Sequence, residues 1–171
     1  ELEHHSNIVP WQLLRSRSGI ELDMLPVTTD GRIDLSALPR LLTPKTKLVS
    51  LAHVSNVTGA LLDVRAVVES AKAVGAKVMI DGAQRAPHGP LDLPSLGIDF
   101  YAFAGHKAYG PNGIGALWGR PELMEAMPPF MGGGSMIGRV TLAETTWAPS
   151  PRRFEAGTPA IGPAIGLGAA C

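Results

Sequence analysis

The sequence predicts an α/β fold, a mostly parallel sheet with helices on both faces. Three observations predict it. Apolar runs at 47–52, 77–80 and 100–104 have the length of buried strands. Between the first two, Val64, Val67, Val68, Ala71 and Val74 recur at the spacing of one helix face. Helix and strand signals alternate along the chain with no repeat or low-complexity stretch, a pattern that lays helices over a parallel sheet.

Taken in order, residues 7–17 read as a helix stopped by Gly19. Residues 21–27 read as a strand. Asp34 can cap a short helix that carries Leu35, Leu38, Leu41 and Leu42. The strand at 47–52 follows, then the helix that begins at Val64 and stops at Gly75. Strands at 77–80 and 100–104 come next, and 115–119 makes another after a turn. The close, from Ile161 to Cys171, reads as a helix broken off partway. With no initiator methionine either, the 171 residues are expected to be a fragment.

Composition narrows the function classes. An apolar fraction of 45% with 15 basic and 15 acidic residues is globular and electrically balanced. Zero net charge gives no reason to expect a nucleic-acid or membrane partner. No apolar run approaches the roughly 20 residues that span a bilayer. A single cysteine, Cys171, excludes an internal disulfide framework and suits a reducing compartment, with the cytoplasm as the expected location.

In parallel sheets ligands sit outside the carboxyl ends of the strands, so the polar residues there carry the interest. Three motifs fall at such ends: His53-Val54-Ser55-Asn56, Asp81-Gly82-Ala83-Gln84 and Ala104-Gly105-His106-Lys107. A lysine is ordinarily a solvated surface residue. Lys107, however, follows an aromatic strand and precedes a glycine-rich turn, and a lysine in a partly dry crevice can attack a carbonyl. Asp81 suits a turn, or a contact with a ring nitrogen whose proton it would stabilise. Gln84 and Asn56 are surface amides or donors to a ligand oxygen. His4 and His5 invite a metal reading, but no His-Glu-x-x-His helix or paired-cysteine spacing accompanies them, and no metal is expected. An imidazole can instead stack on a flat ring. Gly132-Gly133-Gly134-Ser135 is a flexible linker or an anion-binding loop.

The ordered set of motifs is more specific than any one of them. It runs His4-His5-x-Asn7-Ile8-Val9-Pro10-Trp11-Gln12, His53-Val54-Ser55-Asn56, Asp81-Gly82-Ala83-Gln84, Phe100-Tyr101-x-Phe103-x-Gly105-His106-Lys107-x-Tyr109-Gly110-Pro111, Gly132 to Ile137, then Phe154-Glu155-Ala156-Gly157-Thr158-Pro159. This set resembles the SufS-like (group II) cysteine desulfurases of the class V aminotransferase family, over essentially the whole chain.

The resemblance implies a fold type I, aspartate aminotransferase-like large domain. Residues 1–171 would be its central part, without the N-terminal segment and the C-terminal small domain. It implies pyridoxal 5'-phosphate as cofactor, with Lys107 as its Schiff-base lysine and proton carrier. Asp81 would pair with the pyridine nitrogen, Gln84 would contact the ring oxygen, and His4 would stack on the ring. Asn56 would lie by the ring oxygen and the substrate carboxylate, and His106 by the phosphate. Gly132 and Thr158 would reach the phosphate of the neighbouring subunit of a homodimer. The implied reaction converts L-cysteine, or a related amino acid, to alanine. Its sulfur passes to a protein cysteine and then to a sulfur-acceptor protein for iron–sulfur cluster assembly.

The sequence departs from the pattern at four points. Ala104 stands where the family usually has a phosphate-binding serine, and Arg85 where it usually has a small residue. Cys171 lies in the helix after Thr158, not where the persulfide cysteine is expected, and the C-terminal arginine that binds the substrate carboxylate is absent, so the chain alone is expected to be inactive. Two alternatives stay open: another class V enzyme, such as a selenocysteine lyase, an epimerase-like protein or an aminotransferase, or a non-catalytic domain of the same fold.

Overall fold

The computed structural model describes residues 1–171. A four-stranded sheet forms its centre: β1 (Leu48–Ala52), β2 (Lys77–Asp81), β3 (Phe100–Ala104) and β4 (Gly115–Gly119), adjacent in that order. The first three strands are parallel, in the register Ala52 to Asp81 to Ala102. β4 runs antiparallel to β3. The mostly parallel sheet matches the expectation from sequence.

The expected alternation of side chains decides the layers. In β1, Val49 and Leu51 are buried, while Leu48, Ser50 and Ala52 face the other way and are only half-buried. The buried face packs on α3 (Val64–Ala73), whose Val64, Val67, Val68 and Ala71 form the stripe read from the sequence. Asp63 caps α3 by accepting the amide of Ala66 at 3.1 Å. Val67, Ala71, Val78, Ile80 and Ile98 are fully excluded from solvent, and burying such a side chain contributes about 1.5–3 kcal/mol. Asp34 caps a turn at Leu35–Ala37 that runs into a short helix, α2 (Leu38–Leu41), as expected.

The opposite face of β1 meets the N-terminal region. A turn at His5–Asn7 leads into α1 (Val9–Ser18), which Gly19 ends at φ 69°. Beyond the sheet's other end, α4 (Leu93–Leu96) precedes β3 and α5 (Pro121–Ala126) follows β4. A separate hairpin, β5 (Ile137–Val140) with β6 (Thr145–Trp147), and a final helix, α6 (Ile161–Ala170), complete the chain.

One expectation fails. Residues 21–27 form no strand, and only Val27 bridges to Ile33. A strand needs a continuous ladder to a neighbouring backbone, and here only isolated bonds form, from the Glu1 amino group to Leu25 and from Asp34 to Pro26. Instead a cavity of about 660 Å³ opens between residues 20–25 and the outer edge of β1 at 47–51.

Candidate active site

The carboxyl ends of β1, β2 and β3 lie side by side, so the three motifs that follow them share one rim. Neighbouring strands are about 4.8 Å apart, which puts the ends of all three within reach of one small molecule.

After β1, the amide of His53 donates to the carbonyl of Asp81 at 2.8 Å, extending the β1–β2 ladder past its last paired residue. Ser55 is buried, and its hydroxyl accepts the amides of Val57 and Thr58, each at 3.2 Å. The amide of Gly59 returns to the Ser55 carbonyl at 3.0 Å. This tight loop holds Asn56 exposed at its tip.

After β2, Asp81 spends Oδ1 on the amide of Ala83 at 2.9 Å, and its other oxygen has no partner within the chain. Gly82 is buried because its backbone lies against Tyr101. The chain then turns, with the amides of Arg85 and Ala86 both bonded to the Gly82 carbonyl, and Gln84 sits half-buried in that turn.

After β3, the chain tightens into a single turn at Gly105–Lys107. Gly105 accepts the amides of Ala108 and Gly110 and donates to Ile114, all within 2.8–2.9 Å. A β-carbon there would stand 2.9 Å from Ile114, so only glycine fits. Lys107 is half-buried and belongs to none of the chain's ion pairs. His106 is exposed beside it. Two residues on, Tyr109 holds φ at 61° while its ring is exposed. A non-glycine residue in this conformation costs about 1–2 kcal/mol, and such strain concentrates at functional loops.

His4 reaches this rim from the other side. Its neighbour Glu3 accepts the amide of Ala52, the register partner of Asp81, at 2.9 Å. The His4 ring is held by Ser6, with Nδ1 2.8 Å from the hydroxyl and 3.2 Å from the amide.

Gly132 and Thr158 lie on two further loops. The amide of Gly157 donates to the carbonyl of Gly134 at 2.9 Å, so the two loops are neighbours and both are exposed. No hydrogen bond joins either loop to the Lys107 turn. The structure therefore brings Asn56, Asp81, Gln84, His106, Lys107 and His4 to one end of the sheet, and pairs the Gly132 and Thr158 loops with each other.

Two features beneath the rim escaped the sequence reading. His53 is buried against Tyr101, with Nδ1 3.3 Å from the hydroxyl and the rings edge to face. Burial, with the nearby Arg85 guanidinium, pushes the His53 pKa down to about 4, so the ring is neutral near pH 7. Burial likewise pushes the Tyr101 pKa up to about 12. The second feature is Glu3, whose carboxyl burial holds above the usual range. Both residues stood inside or beside motifs, His53 just after an apolar strand and Glu3 just before His4, and an ionisable group in such a place was their only sequence signal.

Not every acid at the sheet has this character. Asp99, at the amino end of β3, is buried but fully engaged: it accepts the amide of Val78 at 2.8 Å and pairs with Lys77 and Arg120. The chain has no group of three His, Cys, Asp or Glu side chains arranged to hold a metal ion, and no helix is long and apolar enough to cross a membrane.

Comparison with known proteins gives a consistent result. The model of the family described as aminotransferase class-V matches residues 1–171. A cysteine desulfurase of Klebsiella pneumoniae (strain 342) is 54% identical over 99% of this chain and 42% of its own length. The crystal structure of the cysteine desulfurase CsdA from Escherichia coli superposes with a TM-score of 0.96 at 45% identity, over 99% of this chain and 42% of that one. The cystine C–S lyase C-DES, solved with its product cysteine persulfide, superposes with a TM-score of 0.88 at 34% identity, over 99% of this chain and 47% of that one. A variant of C-DES carries glycine covalently linked to its PLP cofactor. The chain thus spans less than half the length of the relatives it matches.

Proposed function

Because the chain belongs to the class-V aminotransferase family, we propose that it is the cofactor-holding part of a pyridoxal-phosphate-dependent cysteine desulfurase, with residues 1–171 as the central part of the large domain. The observation that supports this reading is that an unpaired lysine and a half-free carboxylate follow or end adjacent parallel strands.

The donor set fits the cofactor. Asp81 has one oxygen free for a protonated ring nitrogen, and the Lys107 amine has no competing carboxylate. Gln84 and Asn56 bring amide donors for the ring oxygen and a substrate carboxylate, His4 an imidazole for the ring face, and His106 a donor for the phosphate.

When bound, pyridoxal phosphate supplies an aldehyde carbon for amines and a ring that takes up the electron pair left at a substrate α-carbon. The Lys107 amine, once free, moves the proton at the substrate Cα. Asp81 keeps the proton on the ring nitrogen, because opposite charges in contact favour both charged forms. Ala104 lacks the hydroxyl expected before Gly105, a loss of about 1 kcal/mol or more in phosphate binding. The overall reaction balances as L-cysteine and a protein thiol giving L-alanine and a protein persulfide, which a sulfur-acceptor protein then discharges.

The reading includes a homodimer in which the Gly132 and Thr158 loops complete the partner's phosphate site. Their pairing through Gly134 and Gly157, with no hydrogen bond to the Lys107 turn, supports this. So does the exposure of Phe130, Val140, Leu142 and Trp147 nearby. Cys171 is exposed at the end of α6 and is not the persulfide cysteine in this reading. A single cysteine fits a cytoplasmic setting.

The test is an assay of the longer parent protein with pyridoxal phosphate and L-cysteine, beside its Lys107→Ala variant. Alanine formed in equal amount to persulfide sulfur, and lost in the variant, supports the reading. Release of free cysteine persulfide or of a keto acid in place of alanine overturns it in favour of another enzyme of the family.

A further inference from the structure

We propose that Glu3 and Asn7 are positioning residues, a partly buried tether that fixes His4 at the carboxyl end of β1 and so sets how a planar cofactor is held against Asp81. The inference rests on the functional reading above and adds two residues to it.

The tether is a connected set of hydrogen bonds. Glu3 Oε1 accepts the amide of Ala52 at 2.9 Å, and Oε2 accepts Asn7 Nδ2 at 2.6 Å. Asn7, 7% exposed, uses its own Oδ1 twice, accepting Ser50 Oγ at 2.6 Å and Trp11 Nε1 at 3.0 Å. The network thus joins the outward face of β1, at Ser50 and Ala52, to α1 through Trp11. His4 lies in the chain between its two members, at the cap of the turn that Asn7 closes.

The chemistry of each partner is fixed. Ser50 and Trp11 both donate to Asn7 Oδ1, so the Asn7 amide must turn its NH₂ toward Glu3. Ala52 also donates, so residue 3 must accept at both oxygens. Only a carboxylate does this. Glutamine is isosteric but presents one NH₂ and sets two donors face to face, whichever way it turns. The carboxyl is half-buried, and its pKa is raised mainly by that partial burial, with the Asp81 charge adding to it.

The polarity of the network can be reversed without changing net charge, by combining Glu3→Gln with Asn7→Asp. The new amide at position 3 still accepts Ala52 through its oxygen, and its NH₂ donates to the new carboxylate at position 7. The other oxygen of that carboxylate then accepts Ser50 and Trp11. Every bond is restored.

The experiment uses the parent protein and measures pyridoxal phosphate affinity and the visible absorption band, with thermal melting of the cofactor-free forms alongside. Glu3→Gln is expected to weaken cofactor affinity about tenfold, the scale of one hydrogen bond to a charged group, and to shift the band. The double variant returns both to wild type. In a His4→Ala background, Glu3→Gln has no further effect on affinity, because the tether acts through His4. If Glu3→Gln alone fails to fold, folding and cofactor binding by the double variant still support the tether.

Several results overturn it. One is unchanged affinity and band in Glu3→Gln; another is a lowered melting temperature with the band unmoved. Failure of the double variant to restore binding or folding is a third, and a full additional loss in the His4→Ala background is a fourth. A wild-type parent that takes up no pyridoxal phosphate removes the functional reading and this inference together, whereas a wild type that binds with an indifferent Glu3→Gln removes only the tether.

Discussion

The ring of Tyr101 fills the space where a side chain on Gly82 would begin: a β-carbon there would overlap Cε1, Cζ and the hydroxyl. Tyr101 is 1% exposed and bonded to His53, so it has nowhere to go. The residue after Asp81 is thereby pinned to β3, and the direction of the Asp81 carboxylate with it. Gly82→Ala is expected to cost about 1–3 kcal/mol by overpacking, read as a lower urea midpoint, and to weaken cofactor binding. Tyr101→Phe does not rescue it, because the closest contacts are ring carbons; Tyr101→Val does so in part.

The neutral state of His53 makes stability depend on pH. Its folded pKa, about 4, lies below the ordinary value of 6.5. The contribution is therefore present in full above about pH 6.5 and is lost as pH falls toward 4. Within that window the unfolded chain binds one more proton, and stability falls by up to about 1.4 kcal/mol per pH unit. Urea unfolding of the parent between pH 7.5 and 4 checks this: His53→Gln flattens the slope by about one proton. Arg85→Ala raises the folded pKa of His53 and so narrows the window from its acid end, since the guanidinium adds to the depression.

Lys107→Ala is expected to abolish the visible band of the bound cofactor while far-ultraviolet circular dichroism stays unchanged. The side chain makes no ion pair whose removal would unsettle the fold. Alanine formation from cysteine should fall below detection.

Asp81→Asn keeps an oxygen for the amide of Ala83 and removes the charge. The expected outcome is a cofactor that still binds and a kcat lower by about two orders of magnitude or more, typical of losing one electrostatic partner of a transition state. Steady-state kinetics beside equilibrium cofactor titration separate the two effects.

Where the sequence carried enough information, the reason was local. The stripe from Val64 to Ala71 needed only its own spacing, and β2 and β3 only their apolar runs. The placement of Asn56, Asp81 and Lys107 at one end of the sheet was legible because each ends or closely follows such a strand, and strand ends in a parallel sheet converge. Residues 21–27 were misread because a strand is defined by a continuous partner, and the sequence of the segment alone cannot report that only isolated bonds reach it. Glu3 and His53 were missed for a related reason: their roles come from burial against β1 and β3, far off in sequence. The antiparallel course of β4 depends on how tightly the turn at 105–114 folds back, through the bond from Gly105 to Ile114.

The unaccompanied flank of β1 has a practical consequence. β1 is hydrogen-bonded to a strand on one side only and faces a 660 Å³ hollow walled on its far side by residues 20–25. A strand edge without a partner is a template for pairing with another chain, so a polypeptide limited to residues 1–171 is expected to self-associate as its concentration rises, which sedimentation velocity reads directly.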